Sequence, residues 1–334
     1  MHIVWPLLLI VLLALAFDYI NGFHDTANAI ATVVSTGVLS ARNAILMAAV
    51  LNFGGALMGT AVAITIAKGI ADAQFVVPSV VMSALVAAII WNLITWYLGI
   101  PSSSSHALVG GLAGAVVAHS GRNTLHTTKL EEVGTFLIVS PILGLIIGMV
   151  LILIILWICR HIPSYKVNLS FRKLQLVSAA TMAFAHGTND AQKSMGIIAL
   201  GLITYGKLAA HGNHVEVPVW VKFACATAMA LGTMSGGWKI IKTMGSKIVK
   251  LRPIHGFAAE TSAAIVLLVT AHLGIPVSTT HVVSGAIMGV GASMNASAVR
   301  WGIAGNILVA WVLTIPVSAL LAAGALKLIV PFMG

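Results

Sequence analysis

The sequence predicts an all-α polytopic membrane protein made of two inverted repeats, each with a broken helix and a re-entrant helical hairpin. Hydrophobic residues make up 59% of the 334 residues and charged residues only 8%. Apolar stretches of roughly 18 residues or more, enough to cross a hydrocarbon core, recur along the chain. Two pairs of polar motifs also return in the same order in each half. A soluble domain could not bury this much apolar surface, so the stretches are predicted to be membrane helices.

The first half is predicted to contain a broken helix, a second helix, a folded hairpin and a third long helix. Its opening apolar run resembles a signal-peptide core, but it lacks a positively charged leading region and continues directly into Asp18 and the motif NGFHDTANA. The hairpin folds at Pro101, because proline cannot continue a helix. The predicted spans are 4–38 with a break at the motif, 43–67, 79–119 and 133–160.

The second half repeats this order, with the motif HGTNDAQKS in its broken helix and a fold at Pro276. The motifs align at an offset of 165 residues and the hairpins at 175. Since a hairpin enters and leaves on one side, each half makes an odd number of crossings and the second half is inverted. The predicted spans are 174–204, 219–241, 256–294 and 300–330; the predicted domains are a first repeat at 1–160, a basic cytoplasmic loop at 161–173 and a second repeat at 174–334.

Basic residues in the loops set the predicted orientation. Eleven Lys and Arg residues fall in loops on one side and six on the other, and the richer side is cytoplasmic by the positive-inside rule. This places a multi-pass protein in the plasma (inner) membrane with both termini outside. The Pro101 hairpin then enters from outside and the Pro276 hairpin from the cytoplasm. The net charge of +10 reflects this topology, so no nucleic-acid partner is expected.

Each hairpin carries a run of hydroxyl residues at its proline, in GIPSSSSHALVGG and GIPVSTTHVVSGA. A break at membrane depth is tolerated only where it is buried in protein or lines a cavity, and its freed amides are hydrogen-bond donors. Helix N-termini beginning there add partial positive charge, which suits an oxyanion. A single run is equally well explained by capping and packing, but the duplication favours a substrate site. The predicted substrate-binding hydroxyls are Ser102, Ser103, Ser104, Ser105, Ser278, Thr279 and Thr280, whereas His106 and His281 are interpreted as structural.

The two broken helices carry matched acids, Asp25 and Asp190, each beside amide side chains. A lone carboxylate at membrane depth is costly, so such residues are functional and paired by default. Hard cations take oxygen ligands of this kind, and an acid-plus-hydroxyl pocket predicts that an anion and a cation are carried together. Glu260 has the alternative of a residue at the cytoplasmic rim, and Asp18 is left with either role. The predicted cation-coupling residues are Asp25, Asn28, Asn189, Asp190 and Glu260.

The motifs GFHDTANA and HGTNDAQK, with the hairpin runs PSSSSH and PVSTTH, resemble the duplicated signatures of the inorganic phosphate transporter (PiT) family. The resemblance covers essentially the whole chain. It implies an inverted-repeat transporter that takes up inorganic phosphate by symport with a cation, with the hairpin hydroxyls on phosphate. Phe23-His24 stand where the family often has Ala-Asn, and Lys193 stands where the first copy has Asn28, so the two halves need not bind the same ion. The implied centre is Asp25, Asn28, Asn189, Asp190 and Gln192, and the residues added to the substrate site are Asp25, Asp190, Gln192 and Lys193.

Three other functions, those of a hydrolase, an anion channel and a sulfate symporter, agree less well with the sequence than phosphate symport. A hydrolase would need a Gly-x-Ser-x-Gly element and an orienting acid beside its serine, so no enzyme activity is expected. An anion channel has little use for paired membrane carboxylates. Sulfate, or another tetrahedral oxyanion, is the main rival; only phosphate still donates a hydrogen bond at neutral pH, and Asp25 or Asp190 is a ready acceptor. Entry of phosphate as a metal-phosphate complex and assembly into a homo-oligomer are left open.

Lys193 decides the predicted coupling ion. It lies three residues after Asp190 on one helical face, close enough for an ion pair. In the first half Asp25 and Asn28 form a candidate sodium site, whereas in the second an ammonium takes the corresponding place. A proton is therefore predicted over sodium, moving on Asp25, Asp190 or Glu260, and no cofactor is expected.

Overall fold

This computed structural model describes residues 5–69, 76–125, 127–208 and 216–332, and the regular elements among them are helices. Short 3₁₀ and π turns join some of these helices. The α-helices are, in chain order, α1 (Trp5–Ser35), α2 (Ala41–Ala56), α3 (Ala61–Gly69), α4 (Pro78–Leu98), α5 (Ser104–Ser120), α6 (Thr127–Cys159), α7 (Ser164–Thr204), α8 (Val219–Ser235), α9 (Trp238–Lys242), α10 (Pro253–His272), α11 (Thr279–Met294) and α12 (Trp301–Ile329).

Five of the described helices are long and apolar enough to cross a membrane: α1, α4, α6, α10 and α12. Large apolar side chains point outward from them; Val312 and Leu320 of α12, for example, are 70% and 74% exposed. Apolar surface on this scale is unfavourable in water and stable against lipid. The prediction of an all-α multi-pass membrane protein is confirmed.

Both predicted hairpins are present. α4 and α5 pack against each other around the first proline, and α10 and α11 around the second. Gly99 and Gly274 follow the first arms in the left-handed region, with φ of 69° and 70°, a conformation that glycine adopts without steric cost. Ser103 and Ser278 begin the second arms as N-caps. Each hydroxyl run therefore lies at the start of a helix.

The first helix of each half is continuous, so the prediction of broken helices was wrong there. α1 runs through the NGFHDTANA motif and α7 through HGTNDAQKS without interruption. The motif glycines are sites of close helix contact: a Cβ on Gly22 would collide with the backbone of Met229, and one on Gly187 with the backbone of Asn52. Polar side chains find partners without breaking the helix, as where Thr26 donates to the carbonyl of Gly22. Each motif is thus a polar face of an intact helix.

The breaks lie in the second helix of each half, which the sequence predicts to be continuous. Between α2 and α3, Gly59 has φ of 94°, and between α8 and α9, Gly236 has φ of 71°; the left-handed conformation turns the chain at both points. The predicted loop at 161–173 is also shorter than expected, because α7 begins at Ser164 directly after Pro163. Proline is well suited to the start of a helix.

Helices of the two halves pack together in matched pairs. α5 lies on α12, and α11 lies on α6. Gly110 and Gly114 of α5 approach the backbone of α12, and Gly285 and Gly289, each 175 residues later, approach the backbone of α6. Small residues four apart allow membrane helices to approach closely. The matched contacts are those that a repeat of the two halves predicts.

α1 and α7 run in opposite directions through the interior. Asp25 near the middle of α1 lies close to Asp190 and His186 of α7, whereas Thr36, further along the chain, hydrogen-bonds to Gln175, earlier on α7. This antiparallel register is the one that an inverted relation between the halves requires. It also brings the two polar motifs face to face.

Candidate substrate and ion site

Hydroxyl side chains from both hairpin tips reach the acids of both halves. Ser104 at the start of α5 hydrogen-bonds to Asp25 of α1. Thr279 at the start of α11 hydrogen-bonds to Asp190 of α7, and Thr280 reaches Asp25. All five side chains are buried. The hydroxyls and acids that the sequence predicts as a site therefore form one cluster.

Both carboxylate oxygens of Asp25 have partners. His24 Nδ1 lies 2.6 Å from Oδ1, Ser104 Oγ donates to Oδ2 at 3.0 Å, and Thr280 Oγ1 donates to Oδ1 at 3.5 Å. Asp25 is 2% exposed. The carboxylate is held by its own helix and by both hairpins at once.

Asp190 is held by a different set of groups. Lys193 Nζ lies 2.5 Å from Oδ1, His186 Nε2 lies 3.2 Å from Oδ2, and Thr279 Oγ1 donates to Oδ2 at 3.2 Å. Lys193 is 1% exposed, so its ammonium is buried beside the carboxylate. The ion pair that the three-residue spacing predicts is present.

Asn28 and His186 complete the cluster. Asn28 Nδ2 donates to both hydroxyls at the α11 tip, at 2.9 and 3.3 Å. One ligand atom from each of Asp25, His186 and Asp190 lies within 4.8 Å of the others. Carboxylates this close repel each other unless positive charge lies beside them. The cluster is therefore suited to hold a cation on its acidic side and an oxyanion on its hydroxyl side.

The other predicted hydroxyls support the hairpin tips. Ser103 and Ser278 each accept a hydrogen bond from the backbone amide three residues later, at 3.2 Å in both cases, which caps the helix N-terminus. Ser102 donates to Thr95 at 2.8 Å. Ser105 donates to the backbone of the other hairpin at 3.3 Å. These four side chains shape and join the tips, and Ser105 ties one hairpin to the other.

Gln192 and Asn189 point away from the hydroxyl cluster. Gln192 Oε1 accepts from the amides of Val62 and Ala63 at 2.8 and 3.3 Å, so it caps the first free amides of α3. Asn189 Nδ2 donates to the carbonyl of Leu267 on α10 at 2.8 Å. The structure thus brings these two predicted residues to neighbouring helices and not to the hairpin hydroxyls.

Glu260 of α10 forms a separate polar cluster with Thr32, which lies one helical turn beyond Asn28 on α1. Its carboxylate accepts from Thr32 and Ser178, both at 2.5 Å, and from Gln175 at 3.0 Å. Glu260 is 2% exposed, which argues against an exposed residue at the cytoplasmic rim. The residues that bind it come from α1 and α7, the same helices that carry Asp25 and Asp190.

His24 and His186 are site residues that the sequence predictions omit. Both lie inside the duplicated motifs, which was the available signal. His24 also lies 3.0 Å from Thr95 on α4, and His186 lies 3.3 Å from Asn52 on α2. Each histidine thus links an acid of the cluster to a neighbouring helix.

His106 and His281 lie between the two hairpins. Their ring centroids are 4.8 Å apart, and His281 stacks on Trp311 of α12 at 3.8 Å. Trp311 also donates to the carbonyl of Pro101 at 3.1 Å. The rings join the hairpin tips to α12, in keeping with the structural role expected of both histidines.

The sequence of this chain is similar to that of known proteins over nearly its whole length. Residues 21–322 match the phosphate transporter family. The chain is 51% identical over 318 residues to a Bacillus subtilis protein described as a probable low-affinity inorganic phosphate transporter, covering 95% of each chain. It is 50% identical over 321 residues to a Rhizobium meliloti protein of the same description, covering 96% of this chain and 95% of the other.

A solved structure agrees with these relatives. It is described as "The sodium-dependent phosphate transporter", and it matches this chain with a TM-score of 0.88 at 26% identity over 97% of this chain and 98% of the other. The likeness in fold therefore extends over nearly the whole chain. This chain belongs to the phosphate transporter family, as a multi-pass membrane transporter and not an enzyme.

Proposed function

We propose that this protein is a secondary active symporter that moves inorganic phosphate into the cell together with a proton, across the plasma membrane. The observation that supports this most directly is the contact between hydroxyls of both hairpins and acids of both halves. An anion site that touches a cation site links the binding of one to the binding of the other. Such linkage is what symport requires.

Phosphate would bind where the hairpin hydroxyls now meet the acids. Ser104, Thr279 and Thr280 are hydrogen-bond donors at the starts of α5 and α11, where free amides and the helix dipole favour an anion. The buried ammonium of Lys193 adds a full positive charge beside them. Asp25 is then the acceptor for the proton that phosphate keeps at neutral pH.

That acceptor separates phosphate from sulfate. Sulfate is fully deprotonated at neutral pH and would face the Asp25 carboxylate with no hydrogen to donate, which is a repulsive contact in a buried site. We expect excess sulfate to leave uptake of labelled phosphate unchanged in proteoliposomes. Strong inhibition by sulfate would instead favour a general oxyanion carrier.

The coupling ion is proposed to be a proton because the acids are already occupied by donors. Both oxygens of Asp25 accept hydrogen bonds, and Asn28 turns its NH₂ group, not its oxygen, toward the α11 hydroxyls. On the other side the Lys193 ammonium lies where a second cation would sit against Asp190. With a bound sodium ion disfavoured, the acids predicted from the sequence to carry a proton are Asp25, Asp190 and Glu260. The solved relative is described as sodium-dependent. The dependence of phosphate uptake on protons and on sodium is therefore the property to measure.

Purified protein in proteoliposomes would decide the ion. Phosphate uptake is measured under an inward proton gradient without sodium, and then under a sodium gradient at equal pH on both sides. We expect the first to drive accumulation and the second to leave uptake at the gradient-free level. Uptake driven only by sodium would refute proton coupling while leaving phosphate transport intact.

Counterflow would test the carrier mechanism itself. A carrier exchanges labelled phosphate against unlabelled phosphate with no net gradient and saturates, whereas a channel passes current without coupling. We expect saturable exchange. Absence of exchange with a persistent anion current would overturn the proposal.

A further inference from the structure

Asp18 is a buried acid that the proposed mechanism does not use. It lies on α1 and is completely buried, and among the described residues no group makes a well-formed hydrogen bond to either carboxylate oxygen; the Ser194 hydroxyl and the Cys225 thiol are its nearest donors. The other three buried acids in the described chain are Asp25, Asp190 and Glu260, and each is held by three side chains. Asp18 therefore differs from the other buried acids in having no set of side chains that holds its carboxylate.

The groups that act on Asp18 come from α7 and α8. Ser194 of α7 and Cys225 of α8 are its polar neighbours, and the charges of Asp190 and Lys193, both on α7, act on it from further away. Among the described residues, the hydroxyl of Ser194 has no partner nearer than Asp18. No described basic side chain forms an ion pair with Asp18.

The position of Asp18 connects it to the site without touching the substrate. It is seven residues before Asp25 on one face of α1, with Asn21 between them, which is about 10 Å along the helix axis at 1.5 Å per residue. Across the antiparallel pair, Ser194 lies one turn beyond Asp190. The carboxyl is thus close enough to interact electrostatically with the cluster of hairpin hydroxyls and acids, and too far away to bind phosphate.

An ionised carboxylate without hydrogen bonds is strongly disfavoured in a buried membrane position, whereas the neutral acid is tolerated. Asp25, Asp190 and Glu260 each have three partners within hydrogen-bond or ion-pair distance, whereas Asp18 has only one hydroxyl and one weakly donating thiol beside it. We propose that Asp18 is the residue that binds the coupling proton. This inference rests on the proposed proton symport and assigns its proton to Asp18 in place of Asp25, Asp190 or Glu260: the carboxylate takes up one proton from the outside and releases it to the cytoplasm, with no other bond made or broken.

Charge links this proton to phosphate. The charges of Asp190 and Lys193 act on Asp18 with opposite signs, and phosphate bound beside Lys193 adds negative charge that favours the protonated form of Asp18. By reciprocity, protonation of Asp18 raises the affinity for phosphate by the same factor, so the two ligands bind and leave together.

Asp18→Asn tests the assignment, because asparagine has nearly the shape of the protonated acid and cannot release a proton. Two rates are measured with the intact protein in proteoliposomes: exchange of labelled for unlabelled phosphate, and net uptake driven by an inward proton gradient. In Asp18→Asn we expect phosphate exchange to persist. We expect the proton gradient no longer to drive accumulation, so that net phosphate uptake falls to the level without a gradient. Asp18→Glu, which keeps the carboxyl group, should restore the response to the gradient.

Asn92→Leu is the matched control, since Asn92 is also fully buried with an unpartnered side chain and should keep both rates. Loss of exchange together with driven uptake in Asp18→Asn would overturn the inference, because the side chain would then serve binding or folding. An undiminished response to the proton gradient in Asp18→Asn would overturn it as well. If wild-type protein itself showed no response to the gradient, the proposed proton symport would fail first, and the two failures are thereby distinguished.

Discussion

At the residue scale, the two matched motifs carry acids in chemically different settings. Asp25 is held by a histidine and by hydroxyls, whereas Asp190 is held by an ammonium and a histidine. The matched position three residues later is Asn28 in one half and Lys193 in the other. A pair of half-sites that differ by one full charge has no need to bind two identical cations.

Loss of either central charge should impair phosphate transport. Asp25→Asn and Asp190→Asn keep the volume of the side chain and remove the carboxylate, and in Asp190→Asn the Lys193 ammonium is left buried without its partner. We expect phosphate uptake to fall by more than about tenfold in each variant. Uptake is measured against membrane protein level by immunoblot, and normal uptake by both variants at normal level would contradict the assignment.

Removal of a tip hydroxyl should weaken phosphate binding. A hydrogen bond to a charged group contributes about 1.5–3 kcal/mol, so Ser104→Ala or Thr279→Ala should raise the half-saturating phosphate concentration about tenfold or more. Thr227→Ala is the control, because Thr227 is exposed and donates only to its own helix. An unchanged half-saturation in both tip variants would mean that these hydroxyls are packing residues.

Lys193→Asn should change the ion dependence. The substitution recreates the residue found at the matched position of the first half and removes the ammonium that occupies the side of Asp190. We expect sodium to stimulate phosphate uptake by this variant and not by the wild type, measured with and without a sodium gradient at equal pH. If sodium does not change phosphate uptake by Lys193→Asn, the lysine serves only as the salt-bridge partner of Asp190.

The sequence predicts which residues carry chemistry better than what each one does. The acids and hydroxyls stand out because they recur in both halves of the sequence, and Ser104 does contact Asp25 and Thr279 does contact Asp190. Ser103 acts as a cap and Ser104 as a ligand of the acid because the helix begins between them, and a run of four serines does not reveal that register. Gln192 caps α3 only because the chain breaks before that helix, which the sequence did not predict.

At the element scale, polar motifs and glycines were misread as helix breaks. A motif rich in Asn, Asp and Gly favours a break when no neighbour is considered, but in α1 and α7 the glycines accommodate the backbones of α8 and α2. Tertiary packing therefore overrides local propensity in these helices. The hairpins were predicted correctly because proline imposes its break regardless of neighbours.

The close contact between α11 and α6 can be tested at Gly289. A Cβ there would collide with the backbone of Leu145, and overpacking of this kind costs about 1–3 kcal/mol. We expect Gly289→Ala to lower the thermal unfolding temperature of the detergent-purified protein. In Gly324→Ala, where nothing lies within 4 Å of the new Cβ, the temperature should stay or rise. Equal unfolding temperatures for the two variants would argue against the close contact.

At the scale of the whole molecule, the proposed inverted repeats give an orientation that can be measured. The loops at Asn123 and His161 are both exposed and are predicted on opposite sides of the membrane, Asn123 outside and His161 in the cytoplasm. Single cysteines are introduced at these positions after Cys159 and Cys225, the two native thiols, are replaced by serine. In intact cells an impermeant maleimide should label Asn123→Cys and spare His161→Cys, and the reverse pattern would invert the topology.

The pairing of α5 with α12 and of α11 with α6 has a consequence for synthesis of the protein. When the ribosome has completed the first half, the glycine face of α5 has no helix to meet, because its partner α12 follows every other long helix that the structure describes. α6 likewise waits for α11. The first hairpin is therefore expected to stay in the bilayer without its partner while the second half is made, and the two pairings form late and in sequence, α11 with α6 and then α12 with α5.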